Sequence, residues 1–319
     1  MPHLRPAASA ALRSRSGGPT PATLLAALGL ADRLASGRGA TVAAVGAGGK
    51  TSLLWALALE IADSLGAGKV VFTTTTQIYE PSLLDLPPLV RGPEPEGPEA
   101  RPGRARPSPV LRLVGDLAEA RAVLGEGVRR DEVIVLGTSL VDSRRPGASS
   151  RQARRVGGAA PDKGRRKVRG LPPEWVDDLG LSFPGLTLLV EADGAARKPL
   201  KAPAAHEPVI PASADLVLAV AGVDAVGLGL DPASVHRPEL IARLTGLRPG
   251  ERLGPREVAT VLRHTVGTRP VYILNKVDSE ADLAKAEAVV AELKTQVPAP
   301  SARVVLTCCR RWPVVVAVR

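Results

Sequence analysis

Thr41-Val42-Ala43-Ala44-Val45-Gly46-Ala47-Gly48-Gly49-Lys50-Thr51-Ser52 is the stretch on which the fold turns. Its first five residues read as a buried strand, and the glycines that follow break it. Lys50 to Leu65 (KTSLLWALALEIADSL) is then a strongly helical run that ends near Gly66. Lys69 to Thr76 (KVVFTTTT) supplies a second, β-branched strand. Strand, loop, helix and strand in that order form a βαβ unit, which implies a parallel sheet.

The pattern continues outward from this unit. Apolar runs predict strands at Val110–Val114, Glu132–Leu136, Leu186–Val190, Leu216–Val220, Val271–Leu274, Val304–Leu306 and Val314–Val318. Helical spacing appears at Thr23–Leu34, Pro238–Thr245, Pro255–Val266 and Glu280–Thr295. Residues 1–20 are rich in Pro, Ser and Arg and read as a disordered tail. Two low-complexity stretches, about 91–109 and 142–173, read as insertions or mobile loops. The expected fold is α/β: one P-loop NTPase-like, three-layer domain over 21–319 with a mainly parallel sheet and disordered insertions.

Composition narrows the function classes. Aromatics are 2 % of the 319 residues, so the core must be aliphatic. The two cysteines, Cys308 and Cys309, are adjacent, which makes a disulfide between them strained and excludes a disulfide framework. A reducing, cytoplasmic setting is expected, with no signal peptide and no membrane span. The net charge of +10 is concentrated: Arg144 to Arg169 holds ten Lys/Arg and one acid, Asp162, so ten minus one places nine charges there. A local basic run without interleaved aromatics predicts a solvated insertion, not a nucleic-acid surface.

Three motifs carry chemistry. In Val45 to Ser52, Gly46, Ala47, Gly48 and Gly49 offer backbone N–H groups to phosphate oxygens, and Lys50 neutralises the β- and γ-phosphates. Thr51 is positioned to ligate Mg²⁺, Ser52 follows it, and the helix dipole adds to the pull on an anion. The loop is a variant, because Ala44 stands where Gly-x-x-x-x-Gly-Lys-[Ser/Thr] has its first glycine. In Leu188 to Ala195 (LLVEADGA), alternation places Glu191 and Asp193 on one side of a strand end. Asp193 is assigned with Thr51 to the metal, and Glu191 to orienting water. In Val271 to Asp278 (VYILNKVD), Asn275, Lys276 and Asp278 have the guanine-reading pattern Asn-Lys-x-Asp. There Asp278 accepts from guanine N1–H and N2–H₂, Lys276 covers the base, and Asn275 ties the turn to the glycine loop.

Other residues are weaker markers. Thr73–Thr76 suits a strand as well as a switch, Asp215 reads as a cap, and each histidine alone is more often structural. A Pro-bounded loop carries Lys201, His206 and Glu207, and His236-Arg237 follows downstream; these face an anionic substrate or a partner. No Cys-x-x-Cys or His-x-x-x-His spacing supports zinc.

Taken together, GAGGKTS, TTTTQIY, VEADGA, LKAPAAHEPVIP and VHRPEL resemble the YqeC family, accessory proteins for selenium-dependent molybdenum hydroxylases. The resemblance implies a cytosolic P-loop protein that acts in maturation of such a hydroxylase or its cofactor, with the hydroxylase or its maturation proteins as partners. It implies nucleotide at Gly46–Thr51 and a further site around Asp193 and His206. The expected activity is a Mg²⁺-dependent NTPase, with GTP preferred over ATP. Two alternatives stay open: a small-molecule kinase acting on a cofactor precursor, and a non-catalytic scaffold switched by nucleotide.

Overall fold

Val42 to Val45 have no polar side chain to satisfy, so a strand of this composition is stable only where both faces are covered. In the computed structural model, β1 (Thr41–Gly46) is buried along its whole length at the middle of a nine-stranded sheet. The structure describes residues 23–80, 108–127, 132–142, 166–267, 270–297, 303–310 and 314–319.

The other strands of this sheet are β2 (Val70–Thr74), β4 (Ser108–Leu113), β5 (Glu132–Gly137), β8 (Thr187–Glu191), β9 (Leu216–Gly222), β10 (Val271–Asn275), β11 (Val304–Thr307) and β12 (Val315–Val318). Their order is β12-β11-β10-β9-β1-β8-β2-β5-β4. All neighbours are parallel except β11 and β12, which pair antiparallel. This order aligns the C-terminal ends of β8, β1, β9 and β10, the edge where open α/β sheets bind ligands.

Alternation along β1 sends side chains to both faces. Val42 and Ala44 share one core with α1 (Leu24–Leu28), α2 (Ala31–Ala35) and α3 (Lys50–Leu65). Trp55 of α3 stacks on Phe72 of β2 with ring centroids 5.0 Å apart. Ala43 and Val45 face the opposite core, built with α6 (Pro238–Thr245), α7 (Pro255–Arg263) and α8 (Glu280–Gln296). On that side too, α4 (Leu117–Gly125) and α5 (Pro173–Ser182) cover Val71, Leu188 and Val190. The result is a three-layer α/β fold with a mainly parallel sheet.

Several boundaries differ from the periodicity. One leading helix is expected over Thr23–Leu34, but two short helices form. Gly29 ends the first in the left-handed region with φ 73°. The buried Glu60 carboxylate accepts from Leu24 N–H at 2.9 Å and Leu25 N–H at 2.8 Å, which fixes α1 onto α3. The expected loop over 142–173 is corrected at its end, because Arg166–Arg169 forms β7. With β3 (Gln77–Tyr79) and β6 (Ser139–Asp142) it makes a separate antiparallel sheet, ordered β3-β7-β6. Its one apolar residue, Val168, is fully buried, which anchors an otherwise basic strand. Likewise β4 begins at Ser108, inside the expected 91–109 insertion. Residues 91–107, 143–165 and the 1–20 tail lie outside the described residues.

Asp215 does act structurally. Its carboxylate accepts from Thr41 N–H at 2.9 Å and pairs with Arg33 at 2.8 Å, which holds the entry of β1.

Candidate functional site

The glycine loop leaves β1 and enters α3 through three left-handed residues: Gly46 (φ 92°), Gly48 (φ 80°) and Gly49 (φ 110°). A Cβ on Gly48 would lie 2.0 Å from Gly222 N, so only glycine lets the loop pass the end of β9. The loop's internal bonds differ from the expectation that its amides all face a ligand. Gly46 N–H donates to Asp193 Oδ2 at 2.9 Å, Ala47 N–H to Val220 O at 2.8 Å and Gly48 N–H to Lys198 O at 3.0 Å. These three residues shape the loop. The N–H groups in the first turn of α3 have no helical carbonyl to reach.

Lys50, Thr51, Glu191 and Asp193 do meet. Lys50 Nζ donates to Gly46 O at 2.6 Å and lies 3.0 Å from Asp193 Oδ1 and 3.8 Å from Glu191 Oε1. Thr51 Oγ1 donates to Glu191 Oε2 at 2.6 Å. Burial pushes the Glu191 carboxyl above its ordinary pKa, and the Lys50 charge and the Thr51 hydrogen bond oppose that. Asp193 is 1 % exposed and lies between two ammonium groups, because Lys201 Nζ donates to its Oδ2 at 2.8 Å.

The cluster runs on into the Pro-bounded loop. Lys201 Nζ also contacts Glu207 Oε2 at 2.7 Å, and Glu207 accepts from Arg237. Lys201 is 2 % exposed and faces this cluster. His236 lies beside it in a parallel bridge with Lys201, with its N–H on Leu200 O at 3.0 Å. Desolvation, then the Arg237 and Lys201 charges, push the His236 pKa below its ordinary 6.5. His206 is exposed at a turn and stands apart from the cluster.

The Glu207 carboxyl gives a pH-dependent prediction. Burial alone would raise it, but hydrogen bonds from Arg237 and Lys201 outweigh that and hold it at about 2, below its ordinary 4.5. A depressed carboxylate stabilises the fold above its unfolded value, and that contribution is lost as pH falls through the folded one. The stability gap between the native chain and Glu207→Gln is therefore expected to be full above about pH 4.5 and to shrink towards pH 2. Chemical denaturation across that range measures it; a gap independent of pH would contradict the assignment.

Asn275, Lys276 and Asp278 stand at the end of β10. Asn275 Nδ2 donates to Gly48 O at 2.9 Å, and Thr307 Oγ1 donates back to Asn275 Oδ1 at 3.0 Å. Lys276 takes φ 66° and pairs with Asp224 at 2.7 Å. Asp278 accepts from Cys308 Sγ at 3.0 Å and lies 3.5 Å from Arg310. A cavity of about 440 Å³ opens here, lined by Asn275, Lys276, Asp278, Cys309 and Arg310 among others. The cysteine pair reads as unremarkable in the sequence, yet the register of β11 beside β10 puts both thiols against this turn. Burial pushes the Cys309 thiol up to about 12, so it remains a thiol. A second cavity, about 360 Å³, opens at the start of α3 and shares Gly49, Ser52 and Lys276 with the first. Its lining also includes Trp55, Tyr79, Lys167 and Arg197.

The family model described as YqeC protein matches residues 42–239, more than half of the chain. The chain belongs to the YqeC family. The YqeC match covers the glycine loop, Glu191, Asp193, Lys201, Glu207 and Arg237, and stops before Asn275–Asp278. A curated relative is the uncharacterised protein YqeC of Escherichia coli (strain K12), 36 % identical over 118 residues, which is 34 % of this chain and 46 % of that protein. The alignment thus spans about half the length of that relative. No solved structure matches. Among the described residues no helix is long and apolar enough to cross a membrane. Among them too, no group of three or more His, Cys, Asp or Glu side chains is placed to hold a metal ion.

Proposed function

We propose that this chain binds a nucleoside triphosphate with Mg²⁺ at the glycine loop and hydrolyses it, with GTP preferred over ATP. One observation carries the proposal: the Asn275 to Gly48 bond at 2.9 Å joins a candidate base-reading turn to a candidate phosphate loop. That bond sets a fixed spacing between the two ends of a single ligand. The two cavities share Gly49, Ser52 and Lys276 in their linings, so they adjoin on either side of these residues, which supports one ligand reaching both.

The first-turn N–H groups of α3 and the Lys50 ammonium take the phosphates. Thr51 and Glu191, an oxygen pair 2.6 Å apart, are the donors that fit Mg²⁺, which takes few protein oxygens and fills its shell with water and phosphate. When bound, the ion would neutralise charge on the β- and γ-phosphate oxygens. Asp193 is held by Gly46 N–H, Lys50 and Lys201, and so serves to position Lys50 and the loop. In this reading the metal-holding role expected of Asp193 passes to Glu191, which lies on the same side of the strand end.

The YqeC resemblance supports a place for this activity in maturation of a selenium-dependent molybdenum hydroxylase or its cofactor, with the hydroxylase or its maturation proteins as partners. The base preference has a direct test. Asp278 accepts from two guanine N–H groups, and losing a hydrogen bond to a charged group costs about 1.5–3 kcal/mol, roughly 10- to 150-fold in affinity. Asp278→Ala is expected to abolish any GTP preference in competition with ATP. Asp278→Asn donates from its amide and is expected to favour xanthosine triphosphate, which has a carbonyl where guanine has its amino group. Unchanged competition in both variants would overturn the guanine assignment.

A further inference from the structure

Asp193 holds its two lysines unequally. Its Oδ2 accepts from Lys201 Nζ at 2.8 Å and from Gly46 N–H at 2.9 Å. Its Oδ1 is buried and accepts no hydrogen bond among the described residues, although Lys50 Nζ lies 3.0 Å away. The Lys50 ammonium donates instead to Gly46 O at 2.6 Å. Lys201 is thus hydrogen-bonded to Asp193, whereas Lys50 meets it by charge. A charge-assisted hydrogen bond is the stronger hold of the two.

Lys201 is fixed from the side away from Lys50. Its backbone forms a parallel bridge with His236, and its neighbours Leu200 and Ala202 are buried. Its ammonium also contacts Glu207 Oε2 at 2.7 Å, and Glu207 accepts from Arg237. Glu207 therefore has a second cation of its own, which leaves the Lys201 charge to Asp193. Lys50, by contrast, lines the cavity at the start of α3. An anion entering that cavity draws the Lys50 ammonium away from Asp193. A buried carboxylate stripped of its partner is strongly destabilised, and Lys201 is the group that remains.

We propose that Lys201 is a positioning residue for phosphate binding: it keeps Asp193 neutralised and so releases Lys50 to the phosphates. The proposal rests on the nucleotide reading of the glycine loop. Without the Lys201 charge, Asp193 keeps Lys50 as its counter-ion, and a nucleotide has to compete for it.

The test titrates the full chain with a non-hydrolysable GTP analogue and Mg²⁺ by calorimetry. Lys201→Met is expected to weaken analogue binding at least tenfold. Lys201→Arg keeps the charge and should recover most of that loss. Lys201→Met combined with Asp193→Asn removes the carboxylate charge that traps Lys50, and should bind at least threefold tighter than Lys201→Met alone. Thermal melts of the free chains report the fold. Where Lys201→Met does not melt cooperatively, Lys201→Gln, which keeps a donor for Asp193 without the charge, takes its place in the same comparison. Native-like affinity in the charge-free single variant overturns the inference and leaves the nucleotide reading standing. So does a double variant as weak as the single one, because Lys201 would then act on the fold and not on Lys50. If the native chain binds no analogue, both proposals fall.

Discussion

Lys50→Ala is expected to lower GTP turnover by about 10²–10³-fold, the usual cost of removing one preorganised group that stabilises transferred-phosphoryl charge. Lys50 opens α3, is 4 % exposed, and has its ammonium held by Gly46 O and Asp193. A cation so held lines the cavity at the start of α3. Phosphate release at saturating GTP and Mg²⁺ measures the effect. The fold should survive, because Asp193 keeps Lys201 as a partner at 2.8 Å. A variant that turns over at the native rate would remove Lys50 from the chemistry.

Asp193→Ala should have the largest effect on stability. It would leave Lys50 and Lys201, 4 % and 1 % exposed at their side chains, without the carboxylate between them, and would orphan Gly46 N–H. Breaking a buried ion pair by removing one partner costs about 3–5 kcal/mol. At about 2–4 °C per kcal/mol for a large domain, the melting midpoint should drop by about 10 °C. Asp193→Asn keeps an acceptor for Gly46 N–H and loses only the charge, so it should fall between the two. Equal midpoints for the native chain and Asp193→Ala would mean the cluster does not hold the loop.

The strand–glycine–helix unit at Thr41–Leu65 was legible because three signals agree: β-branched and small apolar residues, glycines at the break, and an uninterrupted helical run. Pro238–Thr245 was equally clear, with a proline at its start and Gly246 past its end. The small sheet β3-β7-β6 was not, since its strands are three or four residues long and Arg166–Arg169 offers one apolar side chain. Those strands exist through tertiary pairing, which outweighs local propensity. At the site, the approach of Lys50, Thr51, Glu191 and Asp193 follows from motif spacing. The burial of Lys201 does not, because its partners Asp193 and Glu207 are brought together by β8 and a loop that periodicity leaves undefined. Cys308 and Cys309 gain meaning only from the pairing of β11 with β10.

The most direct test of the glycine loop as a nucleotide site is the thermal midpoint of the full chain with Mg²⁺ and GTP, Mg²⁺ and ATP, or Mg²⁺ alone. A ligand at 100 times its dissociation constant adds about 2.7 kcal/mol, which is several degrees for a chain of this size. The expected result is a rise of several degrees with GTP, a smaller one with ATP, and none for Lys50→Ala with either. Equal shifts with both nucleotides would contradict the guanine preference. No shift with either, in a chain that melts cooperatively, would contradict nucleotide binding itself.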